Sequence, residues 1–163
     1  ISQLRRIMRT RSKTYVVLGI ALFILFLDQL SKFLIEDRLA PGESINVIGE
    51  ILRFTLVYND SAAFSLGVGA TWPLTIISSF AVLALIWFGP RSKTTIWLII
   101  SGFVLGGATG NLVDRLFREP GFANGHVVDF LQIPFNFPIF NLADSFVVIG
   151  VSLALIQTFR GDE

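Results

Sequence analysis

The chain has no cysteine and one histidine, His126. The first absence removes disulfides, a thiolate nucleophile and any Cys-ligated metal. The second rules out a His-Glu-x-x-His zinc site, and a serine hydrolase built on His126 would need a Ser-His-acid geometry, with nothing resembling a nucleophile elbow to supply it. Haem, zinc-finger and flavin readings find no residues to support them, so neither metal nor cofactor is expected. The glycines at 102–110 lack the lysine of a phosphate loop, and nothing calls for nucleic acid. Charge is scarce too, at 15% of residues, while 53% of the 163 residues are hydrophobic and the mean hydropathy is +0.69. That balance is too apolar for a soluble domain and reads as one polytopic membrane domain over residues 1–163.

Four apolar stretches are present: residues 16–35, 72–88, 94–113 and 137–159. A run of about 20 apolar residues crosses a hydrocarbon core of about 30 Å, so each is expected to be a membrane helix, the second rather short. Arg5, Arg6, Arg9, Arg11 and Lys13 precede the first, Arg91 and Lys93 sit in a tight turn between the second and third, and Arg160 follows the fourth. Cationic flanks stay on the cytoplasmic side, which puts both termini there. The first stretch is longer than the core of a signal peptide and reads as a permanent helix, and a start at Ile1 reads as a trimmed chain. Gly102, Gly106, Gly107 and Gly110 in the third span predict close helix packing.

The intervening segments then face outward. Leu52, Phe54, Leu56 and Tyr58 alternate with Ile51, Arg53, Thr55 and Val57, the period of a half-buried strand, and residues 127–133 read as a second strand. A small sheet over about 44–71 and 114–136 is expected on the outer membrane surface. The fold class is therefore membrane α-helical, four transmembrane helices with a small outer β-sheet.

Polar residues in the apolar runs carry the functional signal. Asp129 lies in the second strand and Asp144 near the start of the last span, both among aromatic and aliphatic neighbours. A carboxylate at membrane depth is a functional candidate by default. At 1.5 Å per residue, Asp28 falls about 10 Å, Asn111 about 3 Å and Asp144 about 7–8 Å below the outer helix ends, so the polar groups converge on one outer level. Each also has a plainer reading. Asp28 and Lys32 have the i, i+4 spacing of an ion pair. Asn111, Asp114 and Arg115 share a helix face that suits an interfacial helix end, with Arg115 reaching lipid phosphate. Asn141-Leu-Ala-Asp144 fits an N-cap with an acid at N3, where the helix dipole favours negative charge. His126, on a glycine-bearing loop, reads as a surface residue.

Two carboxylates sharing a site do not both ionise easily: one keeps a proton while the other takes one from water, the logic of acid–base hydrolysis. A transporter using the same charges as a relay predicts deep charges or an inverted repeat, and a structural scaffold predicts that the acids are only caps and ion pairs. Against these readings stand five motifs in order: Asp28-Gln-Leu-Ser-Lys32, Asn59-Asp-Ser-Ala-Ala-Phe-Ser65, Gly106-Gly-Ala-Thr-Gly-Asn-Leu-Val-Asp-Arg115, Val127-Val-Asp-Phe130 and Phe140-Asn-Leu-Ala-Asp144. In these the chain resembles the lipoprotein signal peptidase (signal peptidase II) family, four-helix aspartyl peptidases of the bacterial inner membrane. Ser61 stands where that family usually has glycine. The resemblance implies that Asp129 and Asp144 are the catalytic dyad. It further implies that Asn59, Asn111, Arg115 and Asn141 line the site, and that Asp28 and Lys32 support it from helix one. It also implies a prolipoprotein substrate whose lipobox cysteine bears diacylglycerol, cut just before that cysteine beside membrane lipid, and inhibition by the cyclic depsipeptide globomycin.

Overall fold

In a computed structural model, residues 2–60, 71–92 and 94–161 are described, with side chains from residue 11 onward. Residues 61–65 of the second motif, Ser61 among them, the side chains of Arg5, Arg6 and Arg9, and Lys93 lie outside the described residues. Four helices, α1 (Ser2–Glu36), α2 (Trp72–Phe88), α3 (Thr95–Phe117) and α4 (Leu142–Arg160), alternate with strands β1 (Ser44–Ile48), β2 (Leu52–Asn59) and β3 (Val127–Gln132). All four helices are long and apolar enough to cross a membrane, over Arg11–Glu36, Trp72–Arg91, Thr95–Phe117 and Leu142–Arg160. Their outward faces carry exposed Phe23, Phe26, Phe80 and Val148, the surface that lipid covers.

Helix α3 packs against each of the other three helices, and its glycines make that possible. A methyl group at Gly106 would come within 2.7 Å of Ile24 Cβ on α1, and one at Gly107 would overlap the Ala143 carbonyl oxygen at the start of α4. The α3–α4 seam is thus tightest beside Asp144. Gly107→Ala is therefore expected to destabilise the protein by about 1–3 kcal/mol through overpacking against an immovable backbone. Gly19→Ala has open space and is expected to be neutral or slightly stabilising, since alanine is the better helix former. Thermal unfolding in detergent compares the two.

The three strands form one antiparallel sheet in the order β1-β2-β3. Ile35, Leu39, Leu56, Val128 and Phe130 make a second core that seats the sheet on the end of α1. Register shifts between Phe54 and Val57 along β2, so the simple alternation fails there: Thr55 and Leu56 are both buried.

Two span boundaries differ from expectation. Helix α4 starts at Leu142, not 137, because Phe135 and Asn136 take left-handed backbone (φ 70° and 54°) and Phe140 bridges to Leu131. Helix α3 runs on past residue 113 to Phe117, which puts Asp114 and Arg115 inside the helix rather than in the outer segment. Asn111 therefore sits about 9 Å below the helix end, deeper than expected, and Asp144, in the first turn, is shallower. At its other end α1 begins at Ser2, well ahead of the apolar run.

Candidate active site

Strand β3 is buried on both faces for its first four residues, and β2 lies beside it with Val57 opposite Asp129 and Asn59 opposite Val127. That register brings the Asn59 side chain back over Asp129, where its Nδ2 donates to Asp129 Oδ2 at 2.8 Å. From the opposite side Asn141, the fully buried N-cap of α4, donates through Nδ2 to Asp129 Oδ1 at 2.7 Å. Asn141 also accepts from the Asp144 backbone N–H at 2.9 Å, while Asp144 Oδ2 accepts from the Asn141 N–H at 3.2 Å. This reciprocal pair is a capping box, so the N-cap reading of Asp144 holds. It uses only one carboxylate oxygen. The other, Oδ1, accepts from Asn111 Nδ2 at 2.7 Å. One residue, Asn141, therefore touches both aspartates and ties the strand acid to the helix acid.

The surroundings are amide and cationic donors, suited to carboxylates. Among the described residues no group of three His, Asp or Glu side chains is placed to hold a metal ion. Burial pushes the Asp129 carboxyl up to about 7; the charge of Asp144 adds to this, and the donors Asn59 and Asn141 and the Lys32 ammonium oppose it. Arg115 interacts electrostatically with Asp144, Asp114 and Asp129. It faces the acids rather than serving only as a lipid anchor.

Asp28 and Lys32 stand one layer behind. Lys32 Nζ is 2.7 Å from Asp28 Oδ2, so the i, i+4 ion pair is present, and it lies 2.7 Å from Asp114 Oδ2 as well. Lys32 also donates to Asn111 Oδ1 at 3.3 Å, and Asp28 Oδ1 accepts the Ala143 N–H at 3.0 Å. All eight site residues singled out in the sequence thus meet at one end of the bundle, where the C-terminal ends of α1 and α3 adjoin the N-terminal end of α4. Sequence reasoning named none of Asp114, Gln29, Arg118 and Glu36 as site members. Arg118 Nη1 lies 2.8 and 2.7 Å from the two Glu36 oxygens, and its Nε donates to Asp114 Oδ1 at 2.8 Å. Asp114 and Gln29 do stand within the quoted motifs, and Asp114 shares a helix face with Asn111. His126 takes no part in this network among the described contacts, and it is half-buried where the sequence reading expected a surface residue.

Four apolar helices, a small sheet seated on their ends and two linked aspartates at the junction define a multi-pass membrane protein with a carboxylate-pair site. Comparison with known proteins sharpens that class. The family model described as signal peptidase (SPase) II matches residues 20–160. The lipoprotein signal peptidase of Leifsonia xyli subsp. xyli is 46% identical over 142 residues, 87% of this chain and 66% of that one. That of Mycolicibacterium smegmatis is 44% identical over 146 residues, 90% of this chain and 62% of its own length. The chain thus spans slightly under two thirds of these relatives. A solved bacterial membrane enzyme structure superimposes with a TM-score of 0.80 at 31% identity, over 88% of this chain and 87% of the other. The chain belongs to the signal peptidase II family.

Proposed function

We propose that the protein is a membrane aspartic endopeptidase that removes the signal peptide of diacylglyceryl-modified prolipoproteins, cutting just before the lipidated cysteine. The observation that carries this is the bridging of Asp129 and Asp144 by Asn141, with Asp129 buried and its proton affinity raised. Family membership supports it. In the resting pair the proton rests on Asp129, whose proton affinity burial raises, and Asp144 serves as the base. With substrate bound, Asp144 takes a proton from water as the water oxygen attacks the scissile carbonyl, and Asp129 donates its proton to the carbonyl oxygen. Collapse of the tetrahedral intermediate breaks the C–N bond: Asp144 gives its proton to the leaving cysteine nitrogen, a hydroxyl of the intermediate returns its proton to Asp129 as the carbonyl reforms, and the pair is again singly protonated. No metal takes part. Arg115, whose charge interacts with both acids, holds a substrate carbonyl.

The site lies at one end of the bundle, which we assign to the outward face of the bacterial cytoplasmic (inner) membrane, with both termini cytoplasmic. A substrate anchored by its diacylglycerol keeps its acyl chains among membrane lipids while its peptide reaches the acids, and a globomycin-type depsipeptide competes for the same place. The whole chain acts as one domain. A transporter reading is disfavoured because the polar network stays near one end of the bundle. A scaffold reading accounts for the capping box but gives no reason to bury Asp129 with its proton.

The test is cleavage by the protein in lipid or detergent. A diacylglyceryl-modified precursor is expected to be cut and its unmodified counterpart spared; equal cutting of both would remove the proposed specificity. The rate should fall as pH rises through about 7, where Asp129 loses the pair's last proton. Asp144 from α4, Lys32 from α1 and Arg115 from α3 face this carboxyl. The Asn59 N–H stabilises the ionised form, so Asn59→Ala is expected to move the falling limb to higher pH. The same shift acts on folding. A carboxyl that ionises near 3.8 unfolded and near 7 folded makes stability decline as pH rises between those values and level off above them.

A further inference from the structure

We infer that Asp114, backed by Arg118, is a positioning residue for the two aspartates, and that with Asp28 and Lys32 it sets their separation through the main chain. The inference deepens the proposed function and rests on the assignment of Asp129 and Asp144 as the acid–base pair.

Asp28, Lys32 and Asp114 are fully buried. A single ammonium, Lys32 Nζ, lies 2.7 Å from a carboxylate oxygen of each acid. Each of those acids also accepts one backbone N–H, and the two N–H groups occupy matching places. Asp114 Oδ2 accepts from Val128 at 3.2 Å, the residue just before Asp129. Asp28 Oδ1 accepts from Ala143 at 3.0 Å, the residue just before Asp144. The strand acid and the helix acid come from different elements, and this triad clamps the backbone N–H of the residue before each one to a common charge. A third tie runs from Lys32 to Asn111 Oδ1 and from Asn111 to Asp144 Oδ1.

The rest of the network keeps Asp114 in place. Gln29 Nε2 donates to Asp114 Oδ1 at 3.0 Å and to Asp28 Oδ2 at 3.2 Å, bridging the two acids. Two carboxylates against one ammonium leave an excess negative charge, and Arg118 Nε on Asp114 Oδ1 offsets it. Arg118 is held in turn by Glu36 of α1, which accepts from Tyr58 of β2 at 3.0 Å. Signs therefore alternate from Glu36 through Arg118, Asp114 and Lys32 to Asp28, and the chain ends on the two peptides that carry the acids. Orientation of reacting groups is steep in distance: a misplacement of about 1 Å costs about 100-fold in rate. A rigid ionic clamp one residue from each acid suits that demand.

The experiment is Asp114→Asn, assayed beside Asp129→Asn with the diacylglyceryl-modified precursor. Asp114→Asn is expected to lower kcat by about 100-fold with little change in KM. It should also move the falling limb of the pH profile to lower pH, because a strand acid less tightly held near Asp144 loses its proton more easily. A merely structural role would reduce the amount of folded protein but leave kcat per folded molecule and the pH limb where they were, and that result overturns the inference. If Asp114→Asn does not accumulate, Arg118→Gln decides: a smaller loss of kcat with the same acid displacement supports the inference, and a wild-type kcat and pH profile overturn it. An active Asp129→Asn overturns the pair assignment and this inference together. An inactive Asp129→Asn beside a wild-type-like, folded Asp114→Asn overturns the inference alone.

Discussion

Replacing Asp129 or Asp144 by asparagine is expected to lower the rate of precursor cleavage by about 10²–10⁴-fold, the contribution of a positioned acid or base, while the folded protein persists. Asparagine keeps the size and one acceptor oxygen of aspartate but neither accepts a proton from water nor donates one as an acid. At 144 the amide oxygen still completes the capping box with the Asn141 N–H, so the start of α4 survives. At 129 the donors Asn59 and Asn141 both point at the side chain, and one of them must turn its amide to suit. That adjustment is small beside the removal of a buried group that ionises near 7, and above that pH Asp129→Asn is expected to be at least as stable as the wild type. Conversion of a lipidated precursor on gels, read with thermal unfolding of the same preparations, separates the effects. Cleavage near the wild-type rate by either folded variant would exclude the proposed pair.

The helices were legible because length and apolarity suffice to mark a membrane span. Their ends were not, and the failures share a cause. Residues 137–141 are as apolar as the helix that follows, and hydropathy does not separate an apolar turn from a helical one. The left-handed pair Phe135 and Asn136 and the Phe140–Leu131 bridge decide that boundary through tertiary structure. At the end of α3 the charges of Asp114 and Arg115 look like a stop. The helix continues because Asp114 meets Lys32, a partner 82 positions away that no local pattern shows. The same long-range pairing hid Asp114 as a member of the site. Asp144, by contrast, was legible twice, as a cap and as an acid, because its two oxygens perform the two roles separately. The strand carrying Asn59 was legible from alternation, but not the register shift that buries Thr55 beside Leu56.

Lys32→Met is expected to destabilise the protein by about 3–5 kcal/mol, the effect of removing one partner from a buried ion pair. Lys32 has no exposed surface, and neither do the two carboxylates it neutralises. Without it Asp28 and Asp114 face each other as like charges, with only Gln29, Arg118 and two backbone N–H groups as donors. The loss comes from charges left unpaired and not from lost contact area, since methionine fills much of the same space. Neutralising all three, as Asp28→Asn, Lys32→Met and Asp114→Asn together, is therefore expected to regain most of the stability. A buried charged group replaced whole is tolerated far better than one broken in half. The exposed pair Arg53–Glu50, 3.8 Å apart, provides the contrast, and Glu50→Gln should leave unfolding unchanged. Thermal unfolding of the three variants at low and high salt provides the comparison. Screening reaches exposed charges and not those sealed between α1 and α3, so added salt should not rescue Lys32→Met. If Lys32→Met unfolded with the wild type, the triad would not hold the helices together, and the excess charge beneath the two aspartates would have to be neutralised by protonating Asp28 or Asp114.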